Sequence, residues 1–172
     1  DPVLGVDMAS TGEVGCIGEN YYEAILKAML SVGYRIPIKN VLISSGPSRS
    51  KIELLKSAQM LEARGYNLFA TEGTHKFFHD NGVKTTLLHW PDEEDRHPNT
   101  IEYLRDKKID LLINIPKNYT KRELKNGYQI RRNAIDFNVP LITNARVASA
   151  FIYGICKYDL KDISIKSWDE YQ

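Results

Sequence analysis

Cysteine is scarce: Cys16 and Cys156 are the two in a chain of 172 residues. They lie far apart and have no metal or redox spacing, so neither a zinc site nor a disulfide framework is indicated. A reducing, intracellular compartment is the simplest setting for such a chain. Long apolar runs are missing as well. The longest fall far short of the ~20 residues a membrane span needs, so no membrane partner is expected. Charge of one sign is nearly absent: 23 Lys and Arg against 22 Asp and Glu leave a formal +1. A nucleic-acid surface would need a strong basic bias, so none is expected. The signs are interspersed, as in KIELLKSAQMLEARG (51–65), which reads as a solvated helix face. The opening DPVLGVDMASTGEVG has neither the basic region nor the apolar stretch of a signal peptide. It reads like the interior of a longer chain. What remains is an ordinary globular composition, 42% apolar and 26% charged, in a chain long enough to fold without staples.

From about residue 40 onward, short apolar strands alternate with helical patterns. The strand segments are NVLISS (40–45), YNLFAT (66–71), KTTLLH (84–89), IDLLINI (109–115) and VPLIT (139–143). Near-continuous apolar runs of this length fit strands buried on both faces. Helices are expected over 51–64, 74–81, 99–108, 127–137 and 145–157. The first carries Ile52, Leu55, Ala58 and Leu61 on one stripe, with Ser50 as its N-cap and Gly65 as its stop. Repeated strand–helix–strand units predict an α/β fold, a doubly wound and mainly parallel sheet of about five strands. Residues 1–39 differ: a turn-rich start precedes a helix over 20–33 and a connector around Pro37. They read as the tail of a preceding domain plus a linker, with residues 40–172 as the main domain.

In such a sheet a ligand is expected beyond the carboxyl ends of the strands. The first strand runs into SSGPSRSK (44–51), which offers Ser45 and Lys51 at a helix N-terminus, a place suited to an anion. The G-x-x-x-x-G-K spacing of a Walker loop is absent. The second strand runs into ATEGT (70–74), where Thr71, Gly73 and Thr74 could surround one oxyanion. Each loop taken alone could equally be a capped turn. Together, on neighbouring strands, they favour an anion site. The fourth strand ends in NIPKN, where Asn114 could meet an amide, a sugar or a base edge and Lys117 adds charge. Asn144, after the fifth, reads as a helix cap. Trp90 after the third strand either floors a pocket by stacking or packs half-buried. The acidic stretch 92–95 reads as a solvated loop. His75 and His79 stand one helical turn apart, but no third ligand accompanies them and no metal is expected. Arg131 and Arg132 cannot face the same way, so one is expected at the crevice and the other in a surface pair.

These segments carry a resemblance. MASTGEVGCIGENYYEAILKAM (8–29) is similar to the end of the second ATP-grasp unit of carbamoyl-phosphate synthetase large chains. Residues 40–157, through ATEGT, INIPKN, IRR and PLITN, resemble the domain that follows it, which shares its fold with methylglyoxal synthase. The resemblance implies a regulatory domain of an enzyme that makes carbamoyl phosphate from bicarbonate, glutamine-derived ammonia and ATP. It implies an anionic effector as ligand and the rest of the large chain and its glutaminase subunit as partners, with self-association in addition. Lys51, Thr71, Gly73 and Thr74 match the family's anion-binding positions, and Ser45 and Asn114 match residues lining the rest of the pocket. Trp90 stands where uridylate-regulated bacterial members carry lysine and looks like the eukaryotic forms. Lys117 departs from the asparagine of the acetylglutamate-activated form. A uridine nucleotide is the first expectation for the effector and acetylglutamate the second. No cofactor is expected on this chain, since the ATP and magnesium residues of the parent would lie upstream. The setting is the cytoplasm, or an organelle matrix in a eukaryote.

Two rival readings remain. A stand-alone lyase like methylglyoxal synthase needs a positioned carboxylate base. The strand ends offer Glu72 at best, and the catalytic aspartate loop of that enzyme has no match. A structural oligomerisation domain would need no ligand.

Overall fold

Among the described residues, runs of branched and aromatic side chains form five short strands. β1 spans Asn40–Ser45, β2 Asn67–Thr71, β3 Thr86–Leu88, β4 Leu111–Ile115 and β5 Leu141–Ile142. The computed structural model describes residues 12, 14–116 and 120–171. All four strand pairs are parallel, in the order β3-β2-β1-β4-β5. The chain therefore winds outward from β1 through β2 and β3, then returns to the other side for β4 and β5. That is the expected doubly wound α/β sheet, and it puts the topological switch point between β1 and β4. Their register ends at Ser45 beside Ile115, where the Gly46 N–H donates to the Ile115 carbonyl at 3.0 Å.

Among the described residues there are six α-helices: α1 Tyr21–Ser31, α2 Ser48–Ala63, α3 Glu72–Asp80, α4 Thr100–Arg105, α5 Lys121–Asp136 and α6 Ala145–Lys157. Alternation along the strands divides the core in two. Val41 and Ile43 of β1, with Leu111 and Ile113 of β4, join Leu54, Phe78 and Phe151 on one face. Leu42 and Leu112 join Leu104, Ile130 and Ala134 on the other. Leu26 carries α1 into the first cluster. A Cβ on Gly154 of α6 would lie 3.3 Å from the Tyr22 carbonyl oxygen, so glycine lets α1 and α6 approach closely.

The helix boundaries differ from expectation in instructive ways. The first expected helix starts earlier, because the Pro47 carbonyl already accepts the Lys51 N–H at 3.1 Å. Ser50 is thus inside α2 and is not its cap; Pro47 holds that place and makes no side-chain bond. The buried stripe of α2 runs through Leu54, Ser57, Ala58 and Leu61, while Ile52 is exposed. Likewise α5 begins at Lys121, set by a capping box between Thr120 and Glu123. Its first two turns, KRELKN, hold one apolar residue and gave no periodic signal. ATEGT is not a loop, since α3 begins at Glu72, directly after β2.

Candidate functional site

At the carboxyl ends of β1, β2 and β4 the chain encloses about 640 Å³ of empty space, part of it open to solvent. Ser45, Lys51, Thr71, Gly73, Thr74, Trp90 and Asn114 all line it. Seven of the eight residues singled out from the sequence thus share one cavity. The eighth, Lys117, lies outside the described residues. Sheet order explains the gathering, because β2, β1 and β4 are neighbours and their tips end at one level.

The β1–β2 side is tied together by hydroxyls. Thr74 is buried, and its Oγ1 accepts from the Ser45 N–H at 2.9 Å and donates to the Ser45 carbonyl at 3.1 Å. Thr71 Oγ1 donates to Ser44 Oγ at 3.0 Å. Lys51 Nζ donates to the Gly73 carbonyl at 2.9 Å, and a Cβ on Gly73 would sit 3.4 Å from that nitrogen. The two threonines therefore brace the tip of β1 rather than pointing jointly at one spot. Helix capping differs as well. Asn20, Asn99, Thr120 and Asn144 accept N–H bonds at the starts of α1, α4, α5 and α6. Neither Pro47 nor Thr71 does so for α2 or α3, whose first turns lie beside the cavity, as does that of the capped α5. Their first N–H groups and positive dipole ends suit an anion.

The α5 side is built differently. Arg131 Nη1 donates to Asn114 Oδ1 at 2.7 Å, while Arg132 pairs outward with Asp136 at 2.9 Å. The two arginines divide as expected. Burial pulls the Arg131 guanidinium below the ordinary arginine range. The Asp92 N–H donates to Asn126 Oδ1 at 3.1 Å. Arg122 grips Asp92 with two bonds, at 2.6 and 3.1 Å, reaches Glu93 at 3.4 Å, and stands 5.4 Å over the Trp90 ring. Trp90 is thus both a cavity wall and a packing surface. The stretch 92–95 is not simply a solvated loop, because Asp92 and Glu93 clamp the Trp90 segment to α5. Ser45 Oγ and Trp90 Nε1 are buried without a hydrogen-bond partner, and both residues line this cavity, while the Asn126 amide stands against the Asp92 carboxylate. Buried polar atoms are nearly always satisfied, so two orphans in the wall of one cavity set it apart from the rest of the core.

Among the described residues no group of three His, Cys, Asp or Glu could hold a metal. His75 instead meets Thr85 Oγ1 at 2.7 Å, and His79 is exposed beside Asp80. No helix among the described residues is long and apolar enough to cross a membrane.

The MGS-like domain family matches residues 53–143, more than half of the chain. This chain belongs to the MGS-like domain family. It is similar to the Multifunctional protein CAD of Squalus acanthias, 46% identical over 168 residues, covering 90% of this chain and 8% of that protein. The Multifunctional protein pyr1-3 of Dictyostelium discoideum is 49% identical over 157 residues, covering 88% of this chain and 7% of that protein. The Carbamoyl-phosphate synthase (ammonia), mitochondrial, of Homo sapiens is 42% identical over 160 residues, covering 91% of this chain and 10% of that protein. This chain therefore spans a tenth or less of each of these relatives. A solved methylglyoxal synthase from Elizabethkingia anophelis NUHP1 has a TM-score of 0.49 and 18% identity, covering 78% of this chain and 89% of that one.

In this MGS-like domain the cavity also takes residues that sequence reasoning did not single out: Glu123, Asn126 and Gly127, with Arg131 named only as one of two alternatives. The capping pattern Thr120-x-x-Glu123 was the available signal. It starts α5 early enough to bring Glu123, Asn126 and Arg131 along one helix face.

Proposed function

We propose that this MGS-like domain is the regulatory, effector-binding part of a carbamoyl-phosphate synthetase. The parent would make carbamoyl phosphate from bicarbonate, glutamine-derived ammonia and ATP, for pyrimidine or arginine synthesis. Residues 1–39 would close an upstream ATP-grasp unit, and residues 40–172 would form the effector domain. ATP, magnesium and the glutaminase partner belong to the rest of that protein. The parent would work in the cytoplasm or, in an organelle-targeted form, in the matrix, as the name of the mitochondrial human relative suggests.

The observation that carries the reading is the cavity at the switch point. It joins two helix N-termini without side-chain caps and Lys51, and its wall holds two buried polar atoms without a partner, Ser45 Oγ and Trp90 Nε1. An anionic effector matches those donors. A uridine nucleotide is the first choice and acetylglutamate the second. To regulate, the effector must bind two states of the parent with different strength, since equal binding shifts nothing. Calorimetric titration of the chain with uridylate, inosinate and acetylglutamate tests the reading. Saturable binding of at least one is expected. No heat with any of the three would favour an oligomerisation role with no ligand.

One observation favours a second reading, a lyase like methylglyoxal synthase. Glu123 is a carboxylate on the cavity lining. However, that carboxylate accepts the Thr120 N–H at 3.2 Å within its capping box, which commits it to the start of α5. Turnover of dihydroxyacetone phosphate to methylglyoxal by the purified chain would make Glu123 a base and reject the effector reading.

A further inference from the structure

We propose that the outer face of α5 is a docking surface for an acidic, amphipathic helix of the parent protein, and that the effector's signal leaves the domain through it. The inference rests on the regulatory reading above and goes beyond it to the contact that carries the regulation. α5 turns Asn126, Ile130 and Ala134 inward. With 3.6 residues per turn, the side turned away from the sheet holds two parallel rows. Leu124, Tyr128 and Ile135 form one row, at helical spacings of four and seven. They are 45, 62 and 62% exposed. Lys121, Lys125 and Arg132 form the other row at the same spacings, all exposed. On another flank of α5, Gln129 and Asn133 share a cleft with Ile101 and Glu102 of α4, so α4 does not cover the apolar row. Single exposed apolar residues are ordinary, but a contiguous row marks an interaction site, and tyrosine is enriched in such sites.

The charged row decides the partner. Asp136 answers Arg132 at 2.9 Å, and the row keeps a positive excess from its two lysines. An acidic flank on the partner complements that excess. A second copy of this chain does not, because in an antiparallel α5 pair the cationic row would lie along its own copy. From Leu124 to Ile135 the helix rises about 16 Å, or three turns. That matches a partner helix with apolar side chains every three or four residues. This chain spans a tenth or less of its relatives, and the remainder of the parent is the source assigned to that helix.

The effector cavity lies behind the same helix. Leu124 belongs both to the exposed row and to the cavity wall, and Gly127 and Arg131 continue that wall along α5. A ligand that shifts this part of α5 alters the row that a partner meets. By linkage, the partner alters effector affinity by the same factor.

The test uses the full chain, checked for folding by circular dichroism, and three probes. One is a synthetic helical peptide with leucine every three or four residues and glutamate beside it. The second carries lysine in place of glutamate, and the third is a vesicle of phosphatidylserine and phosphatidylcholine. Fluorescence anisotropy should show saturable binding of the acidic peptide, about tenfold or more tighter than the lysine peptide. Tyr128→Ser with Ile135→Ser should weaken it about tenfold or more. Both positions lie outside the cavity lining, so affinity for uridylate or acetylglutamate in that variant should stay within about twofold of wild type. Lys121→Glu with Lys125→Glu should reverse the preference between the two peptides. An effector that binds should change the affinity for the acidic peptide about threefold or more. Docking is overturned if the acidic peptide does not bind, if the serine variant binds it as well as wild type, or if the vesicles capture the chain and the peptide does not. The signal route is overturned if a bound effector leaves peptide affinity unchanged. Peptide binding with silence from both effectors supports the docking surface and fails the regulatory reading alone.

Discussion

Thr71 and Thr74 stand three residues apart and both line the cavity, yet their hydroxyls do different things. Thr74 joins the N–H and the carbonyl of Ser45, a main-chain anchor inside the protein. Thr71 bonds a serine hydroxyl, Ser44, which can rotate toward another partner. Thr74→Val keeps the shape but leaves two buried main-chain groups unpaired, a loss of about 1–3 kcal/mol. Thr71→Val leaves only a hydroxyl, so its stability should stay within about 1 kcal/mol of wild type. Effector affinity should fall several-fold in Thr71→Val, because the remaining hydroxyl loses its relay. Urea unfolding with titration separates the two variants. Equal stability losses would mean that Thr74 is not an anchor, and unchanged affinity in Thr71→Val would remove that hydroxyl from the site.

Among the elements, the helix starts differ in their capping. Asn144 accepts the N–H groups of Arg146 and Val147 at 2.9 and 3.1 Å and opens α6 away from the cavity lining. Asn144→Ala should cost about 1 kcal/mol of stability and leave effector affinity unchanged; a drop in affinity would extend the site to α6. Asn144 was legible as a cap in the sequence, since its amide directly precedes an apolar helical pattern. The five strands were legible for a similar reason: Ile43 and Leu112 point to opposite faces, both apolar, so each strand reads as an unbroken run. Strand ends were less legible, because Tyr66, Lys84 and Val139 flank the ladder without joining it. Strand order was legible only in the pairing of β1 with β2, because short apolar runs carry no record of more distant neighbours. That is why the sequence pointed to the tips of β1 and β2 as the anion site while the completed cavity takes an equal part from α5. Asn126 was missed because its role depends on Asp92, 34 positions away, a contact with no local signature.

At the scale of the whole molecule, the Trp90 segment and α5 come from distant parts of the chain and meet over the cavity. Their clamp is ionic. The Arg122 guanidinium beside Asp92 holds that carboxyl below its usual range, and burial of Glu93 is outweighed by its bond from the Trp90 N–H and by Arg96 and Arg122. A carboxyl whose folded value is depressed binds protons more readily when unfolded. Its contribution is therefore complete above the unfolded value, about 4, and is lost as pH falls through the lower folded value. Stability of the wild type should then decline steeply below about pH 4. Arg122→Gln removes the principal partner of Asp92; it should lower stability near neutrality by a modest amount, since Arg122 is largely exposed, and flatten the decline by that same amount, so that the two proteins converge in acid. Urea unfolding at intervals between about pH 7 and pH 3 measures both slopes. Parallel curves for the two proteins would show that the clamp does not carry the acid response, and that the wall bearing Trp90 is held by packing and the Asn99 bonds to the Trp90 and Glu93 carbonyls instead.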